Sequence, residues 1–427
     1  VPGPLEVLPV ADGVGLPWDV PVLDAVAVVA EARARYGDSF VVRSGAHDHL
    51  FTFSPTGVES FYALPEASAS KGVADYLMLR RKLPDEVFAG RRVLPDALFR
   101  RDDVSSYLAH LDRALDATEA ELGERGSVDV FALTRRLGHR MGLASWAGPG
   151  CADGAAFERL VRAFDALDGS DAFVHPDAMA AVAASDKRAE RAALDDVAVV
   201  VGDAVRHLDS GADGGGLFGR IVAAWATEPA SVRVRGVAMD VALIHVASMS
   251  NLMAALGWAL VDLVEHPDRA CHVAAGDADL ARRCALESTR MAQRSIMARA
   301  VLETVSFDTG AGVVDVPAGW TIATLLPLLN TSAAPGLERW DPDRWHRHRL
   351  ADASALASPM LVTAFGHGRH ACPAQPFSLT AMSTATTRLL GRYDLTPEWD
   401  RYPRPVPAQI GGVARSADVC RVGYRMR

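Results

Sequence analysis

The chain has 427 residues, 49% of them hydrophobic, with a net charge of −9 and a pI near 5.8. A chain of this length buries a large core, and the acidic balance argues against nucleic acid as a partner. The five cysteines (Cys151, Cys271, Cys284, Cys372 and Cys420) are odd in number and scattered, with no C-x-x-C or zinc spacing. A reducing, cytoplasmic setting fits this pattern better than a disulfide framework.

Val1-Pro-Gly-Pro-Leu5 opens no apolar run of membrane-spanning length and no signal-peptide pattern, so no membrane association is expected. A first residue other than Met leaves an upstream anchor open. Residues 22–36 read as a helix ending at Gly37. Phe40-Val-Val-Arg43 and Leu50-Phe-Thr-Phe53, around Gly45, read as a hairpin, and Pro55 opens another helix. From about 102 to 291 helical periodicity dominates, with short Gly, Pro and Asp breaks. Gly211-Ala-Asp-Gly-Gly-Gly216 has no Lys-Ser/Thr and no strand before it, so it reads as an interhelical loop rather than a phosphate cradle. Residues 233–265 form one long, mostly apolar helix that ends before Pro267. Beyond 305 the texture turns to short strands, Val313–Val316 and Trp320–Leu326 among them. A helix is expected over Phe377–Leu390, and residues 405–427 read as a strand pair. The fold class is mainly α with a smaller β-rich region. Richness in Ala, Arg and Asp points to a high-GC bacterium.

The stretch with the most chemistry is Phe365-Gly-His-Gly-Arg-His-Ala-Cys372-Pro-Ala-Gln375. A lone cysteine lies among cationic side chains and ahead of a helix N-terminus, and both features favour the thiolate. With no second cysteine nearby it does not complete a Cys-rich zinc site. It suits a single thiolate ligand to haem iron, and Gly366 and Gly368 let the backbone approach a flat cofactor closely. The bland alternative is a buried, inert cysteine.

These residues resemble the cytochrome P450 superfamily. Phe365, Gly368, His370, Cys372 and Ala374 occupy the positions of its cysteine-loop pattern. Upstream, Glu287-Ser-Thr-Arg290 resembles its Glu-x-x-Arg helix, and Trp340-Asp-Pro342-Asp-Arg344-Trp345 its aromatic-x-Pro-x-Arg segment. The resemblance implies one P450 domain over residues 1–427. It implies haem b ligated by Cys372, a propionate partner in His370, and a structural cluster of Glu287, Arg290 and Arg344. Arg299, before an apolar pair, is a second candidate for a propionate.

The implied activity is oxidation of a small, mostly apolar organic substrate in bacterial specialised metabolism, with electrons arriving through ferredoxin and ferredoxin reductase. The long helix departs from the family pattern. Ala247-Ser248-Met249-Ser250-Asn251 stands where an acid–alcohol pair usually delivers protons. Ser250 replaces the acid and Asn251 the alcohol, and both are expected to face the distal side of the haem. Asn at this position also resembles haem-thiolate relatives that rearrange peroxides without O2 or a reductase. An isomerase or dehydratase is therefore the alternative, and a non-catalytic haem-based binding or sensing protein a third. The family's Trp-x-x-x-Arg segment is absent from residues 100–115, and Met291-Ala-Gln-Arg-Ser295 replaces the usual prolines. Tyr76, Met78 and Phe88 are candidates to line a substrate pocket. The run Arg344-Trp-His-Arg-His-Arg349 is either a docking face for an acidic ferredoxin or a solvated turn.

Overall fold

A computed structural model describes residues 7–89, 103–169, 173, 175–210, 216–347, 349–350 and 352–427. Helix α1 (Ala25–Tyr36) starts where Asp24 accepts from the Val26 and Ala27 amides and stops at Gly37, at φ +89°. The antiparallel hairpin of β1 (Ser39–Ser44) and β2 (His47–Thr52) turns at Gly45. Ser54 caps α2 (Pro55–Ala63), and β3 (Ala69–Ser70) leads into α3 (Lys71–Leu79). The helical region follows: α4 (Val104–Leu122), β4 (Arg125–Asp129), α5 (Val130–Trp146), α6 (Gly154–Leu167), α7 (Pro176–Ala184), α8 (Arg188–Asp209), α9 (Gly216–Ala224), α10 (Ala230–Glu265), α11 (Pro267–Ala274) and α12 (Ala278–Ala292). Strands return as β5 (Ile296–Val301), β6 (Val305–Asp308), β7 (Val313–Val316) and β8 (Thr321–Leu325). Helix α13 (Leu326–Ser332), the short pair β9 (Trp345–His346) and β10 (Arg349–Leu350), α14 (Gln375–Arg392), β11 (Tyr393–Pro397) and β12 (Arg421–Met426) complete the chain.

The main sheet runs β1-β2-β8-β5-β3, with β2 and β8 parallel and the other neighbours antiparallel. Residues alternate faces along a strand, so Met297, Arg299 and Val301 of β5 share the buried side. A second sheet, β11-β12-β4, ties the C-terminus to the start of α5. The architecture is mainly α with a smaller β-rich region, as expected.

Helix α10 is the axis of the largest core. It is buried without a break from Gly236 to His245 and again from Leu252 to Val264, as a helix apolar all round must be. Its length and hydropathy are those of a membrane span, yet 67% of its apolar window lies inside the fold. Helix α5 approaches it closely. A Cβ on Gly138 would lie 2.5 Å from Met253 Cγ, and one on Gly142 3.0 Å from Met249 Cγ.

Three expectations need correction. Helix α1 begins at Ala25 rather than 22 because the Asp24 carboxylate takes up the first free amides. Helix α10 begins at Ala230, directly after Pro229, rather than at 233. Residues 405–427 do not form a strand pair with each other. Only β12 is a strand, and it pairs with β11 and β4. The segment before it makes a single bridge, Pro405 to Ser416, because Pro403, Pro405 and Pro407 lack the amides a ladder needs. Gly211 to Gly215 and residues 90–99 lie outside the described residues.

Gly138→Val would force a branched side chain into the α5–α10 contact. Overpacking of this kind costs about 1–3 kcal/mol, so the urea midpoint should fall, whereas exposed Gly312, with open space where a Cβ would sit, should tolerate Ala.

Candidate functional site

The cysteine loop is closed by its own backbone. The Cys372 amide donates to the Phe365 carbonyl at 2.7 Å, the His370 amide to His367 at 3.0 Å and the Ala371 amide to Gly368 at 3.2 Å. Gly366 holds φ +83°, and a Cβ there would meet the His370 carbonyl oxygen at 2.5 Å, so only glycine fits. Cys372 is half-buried, and the amides of Ala374 and Gln375 at the start of α14 point at its sulfur. Burial nonetheless raises the thiol above its ordinary pKa, against those amides and the charge of Lys71. The neighbouring Arg369 and His370 therefore do not make the sulfur a thiolate by themselves. The cation that acts on it is Lys71 of α3, which adjacency in sequence does not suggest.

Behind the loop, Glu287 is fully buried and accepts five hydrogen bonds. Arg290 Nε and Nη2 donate at 2.9 and 2.7 Å, Arg344 Nε at 2.7 Å, Trp345 Nε1 at 2.8 Å and the Asp341 amide at 3.0 Å. Arg290 also donates to the Leu337 and Asn330 carbonyls. Asn330 was not anticipated. Fully buried in α13, it donates to the carbonyls of Arg290 and Thr363 and accepts from the Thr363 amide at 2.9 Å. The Thr363 hydroxyl in turn bonds the Phe365 amide and the Gly366 carbonyl. The carboxylate cluster thus connects to the cysteine loop through one asparagine. Its only sequence signal is a polar amide directly after the apolar run Leu325-Leu-Pro-Leu-Leu329. Because Arg344 and Trp345 turn inward to Glu287, the cationic run 344–349 is not a single outward face.

Arg299 projects from the buried side of β5. Its guanidinium donates to the carbonyls of Phe61, Leu64 and Ala69, faces Glu66 at 3.3 Å, and lies 2.9 Å from His370 Nε2. The structure therefore brings Arg299 and His370 together. Burial, then Arg299, lowers the His370 pKa. Beside them, the buried Tyr62 hydroxyl and His367 Nε2 have no hydrogen-bond partner among the described residues. Tyr76 and Phe88 meet edge to face at 5.0 Å.

Between Gly236 and Val264 the burial of α10 is interrupted at Val246–Asn251, where Met249 alone is buried. Ala247 and Asn251, one turn apart, are exposed, and Ser250 is half-buried. Ser250 and Asn251, consecutive on the helix, diverge by about 100° and meet different partners. Asn251 Oδ1 accepts from the Val413 amide at 2.9 Å, and Gly412 packs so closely that a Cβ would lie 2.2 Å from that oxygen. Ser250 turns toward α6, where its hydroxyl lies 3.4 Å from Asp168 Oδ1. Arg135 of α5 pairs with both Asp165 and Asp168.

A buried chain unseen in the sequence crosses the same region. Trp146 Nε1 donates to His245 Nδ1 at 3.1 Å, His245 Nε2 lies 2.9 Å from His139 Nδ1, and His139 Nε2 lies 3.3 Å from Asp165 Oδ1. Indole nitrogen only donates, so each neutral imidazole carries its proton on Nε2 and the chain points from Trp146 to Asp165. Burial lowers the pKa of both histidines, that of His245 well below its usual 6.5.

No family model matches the chain. The human 24-hydroxycholesterol 7-alpha-hydroxylase is 25% identical over 205 residues, which is 42% of this chain and 42% of that protein's length. The solved structure of retinoic-acid-bound cyanobacterial CYP120A1 matches at a TM-score of 0.73, over 98% of this chain and 100% of that one, with 16% identity. The chain has the cytochrome P450 fold. Within a P450 fold the residues described here fit a haem. A half-exposed sulfur sits on a tight loop, a buried cation–imidazole corner carries unpartnered polar atoms beside it, and the core helix is open at one point along its length.

Two outcomes follow from this geometry. Glu287→Ala strands two guanidiniums and should cost about 3–5 kcal/mol. Asn330→Ala leaves buried amide and carbonyl groups unpaired and should cost about 3 kcal/mol. Both variants should bind haem poorly, read as the ratio of Soret to protein absorbance, and full haem content in Asn330→Ala would show that the cluster does not support the loop. The second outcome concerns acid. His139 and His245 have folded pKa values below their unfolded ones. The unfolded chain therefore binds the extra protons, and stability is lost as pH falls below about 6.5. Asp262, raised to about 6 by burial, acts in the opposite sense. Between about pH 7 and 5, His245 alone should account for about 2 kcal/mol, and His245→Gln should flatten the pH dependence of the urea midpoint.

Proposed function

We propose that this chain is a haem-thiolate monooxygenase, one P450 domain that oxidises a small, mostly apolar organic molecule. The observation that carries this reading is the Cys372 loop, where a half-buried sulfur faces two backbone amides and is braced from behind by Asn330 and the Glu287 cluster. Haem b, when bound, supplies oxygen activation, with the thiolate donating electron density to the iron. Cys372 ligates the metal, and the Ala374 and Gln375 amides offset the negative charge on sulfur. Phe365 and Gly368 shape the loop, and Arg299, whose N–H groups are taken by protein acceptors, would position His370 beside the propionates. Ala247 presents a methyl at the open stretch of α10, which suits an apolar substrate. The acidic, odd-cysteine composition supports a cytoplasmic enzyme of bacterial natural-product metabolism that receives electrons from a ferredoxin and its reductase.

A second reading, an O2-independent isomerase or dehydratase, is favoured by Asn251. The Val413 amide fixes its Oδ1, so the Nδ2 hydrogens are the ones presented to the open side of the helix. An amide held this way donates to a substrate oxygen and does not relay protons.

The reduced carbon monoxide complex should show the red-shifted Soret band of thiolate ligation, and Cys372→Ala should abolish it. Ferric enzyme given its substrate under argon then separates the readings. Strict dependence on O2 and a reductase supports the monooxygenase, and rapid turnover without either supports the isomerase or dehydratase.

A further inference from the structure

Helix α10 carries no acid at its open stretch, yet two carboxylates approach that stretch from α6 and the residue after it. Asp165 reaches α10 through His139 and His245, and Asp168 reaches it directly at Ser250. Either path leads to solvent, because the Asp165 side chain is 47% exposed and that of Asp168 19%. A cavity of about 10 Å³, lined by Arg135, His139, Asp168, His245 and Ser250, adjoins both. Phe164, Val246, Met249 and Met253 complete its lining, so it is a mixed cavity, at the lower size limit for one water.

The hydrogen-bond directions distinguish the two paths. A chain that passes protons repeatedly must be able to reverse between transfers. Trp146 has only a donor, which holds His245, and through it His139, in one orientation. The histidine chain is therefore closed at its α10 end. The Ser250 hydroxyl both donates and accepts. It lies three residues after Ala247, on the flank of the open stretch. Arg135 occupies Asp168 Oδ2 at 2.9 Å and leaves Oδ1 toward Ser250.

We propose that Asp168, the residue following α6, supplies the acid that α10 lacks, passing protons from solvent through Ser250 to the open side of the helix. In each transfer one proton enters at Asp168, passes to Ser250 Oγ, and the hydroxyl releases its own proton toward the cleft, so the net charge of the pair is unchanged. Asp168 acts through Ser250 and is a positioning and supply residue. The charged and titratable groups facing this pair are Arg135 and His139 of α5, Asp165 of α6 and His245 of α10.

The inference rests on the monooxygenase reading, and the test separates the two. In the haem-loaded enzyme with substrate and reductase, Asp168→Asn and Ser250→Ala should each lower the fraction of electrons recovered in product, by on the order of tenfold or more. The double variant should lose no more than either single one, as for groups in one path. Asp168→Glu should keep most of the activity that Asp168→Asn loses, and Trp146→Phe should leave the fraction unchanged. A further readout needs no turnover. Replacing a negative charge near the cleft should lower the pH midpoint of the ferric Soret transition by about half a unit in Asp168→Asn. If no product forms with reductase and O2, the monooxygenase reading fails and the Soret midpoint still decides whether Asp168 couples to the cleft. An unmoved midpoint, or additive losses in the double variant, overturns the proposal.

Discussion

One buried carboxylate holds the proximal half of the molecule together. Glu287 is removed from water, a placement that is strongly unfavourable for an unpaired charge. It persists because five donors from separate places in the chain converge on its two oxygens. The arginine one turn along α12 is a local partner. Arg344, Trp345 and the Asp341 amide arrive from a segment more than fifty residues downstream. Satisfying the charge therefore fixes where that segment runs, and with it the path into the cysteine loop. Arg290 spends its remaining donors on carbonyls of Asn330 and Leu337, so the same group of bonds also positions α13.

The cysteine loop depends on that framework more than on its own charges. Burial opposes ionisation of Cys372, and the amides at the start of α14 only partly counter it. The loop is a geometric device: a tight turn at Gly366, a closing bond from Cys372 to Phe365, and Thr363 anchored by Asn330. In the proposed haem site, coordination would remove the proton that burial otherwise retains.

The other side of the site is made by an interruption. From Gly236 to Val264 helix α10 is buried except around Ala247 and Asn251. There its neighbours are polar, with the Val413 amide on one flank and Asp168, Arg135 and the histidine chain on the other. Asp240 and Asp262 are buried elsewhere on the helix, each bonded to an aromatic side chain, whereas at Ala247–Asn251 the polar groups border an exposed face.

Much of this was legible in the sequence because it is local. The hairpin at Gly45, the start of α2 at Pro55, the long apolar run of α10 and the i,i+3 spacing of Glu287 and Arg290 follow from turn residues, periodicity and helical geometry. The cysteine loop is likewise a contiguous pattern. Other features depend on which distant segments meet, and a pattern along the chain carries no record of that. The prolines after residue 403 change a strand pair into a loop, which then clamps Asn251. The cation acting on Cys372 is Lys71, three hundred residues earlier. Ser250 and Asn251, adjacent in sequence, diverge around the helix and meet different partners. Asn330, and the chain from Trp146 through His245 and His139 to Asp165, acquire roles only when helices from separate parts of the chain pack together. Buried polar atoms must find partners wherever the fold supplies them. The sequence by itself thus determined most element types and the cysteine loop, and tertiary packing decided which groups serve that loop and which carboxylate approaches Ser250 of α10.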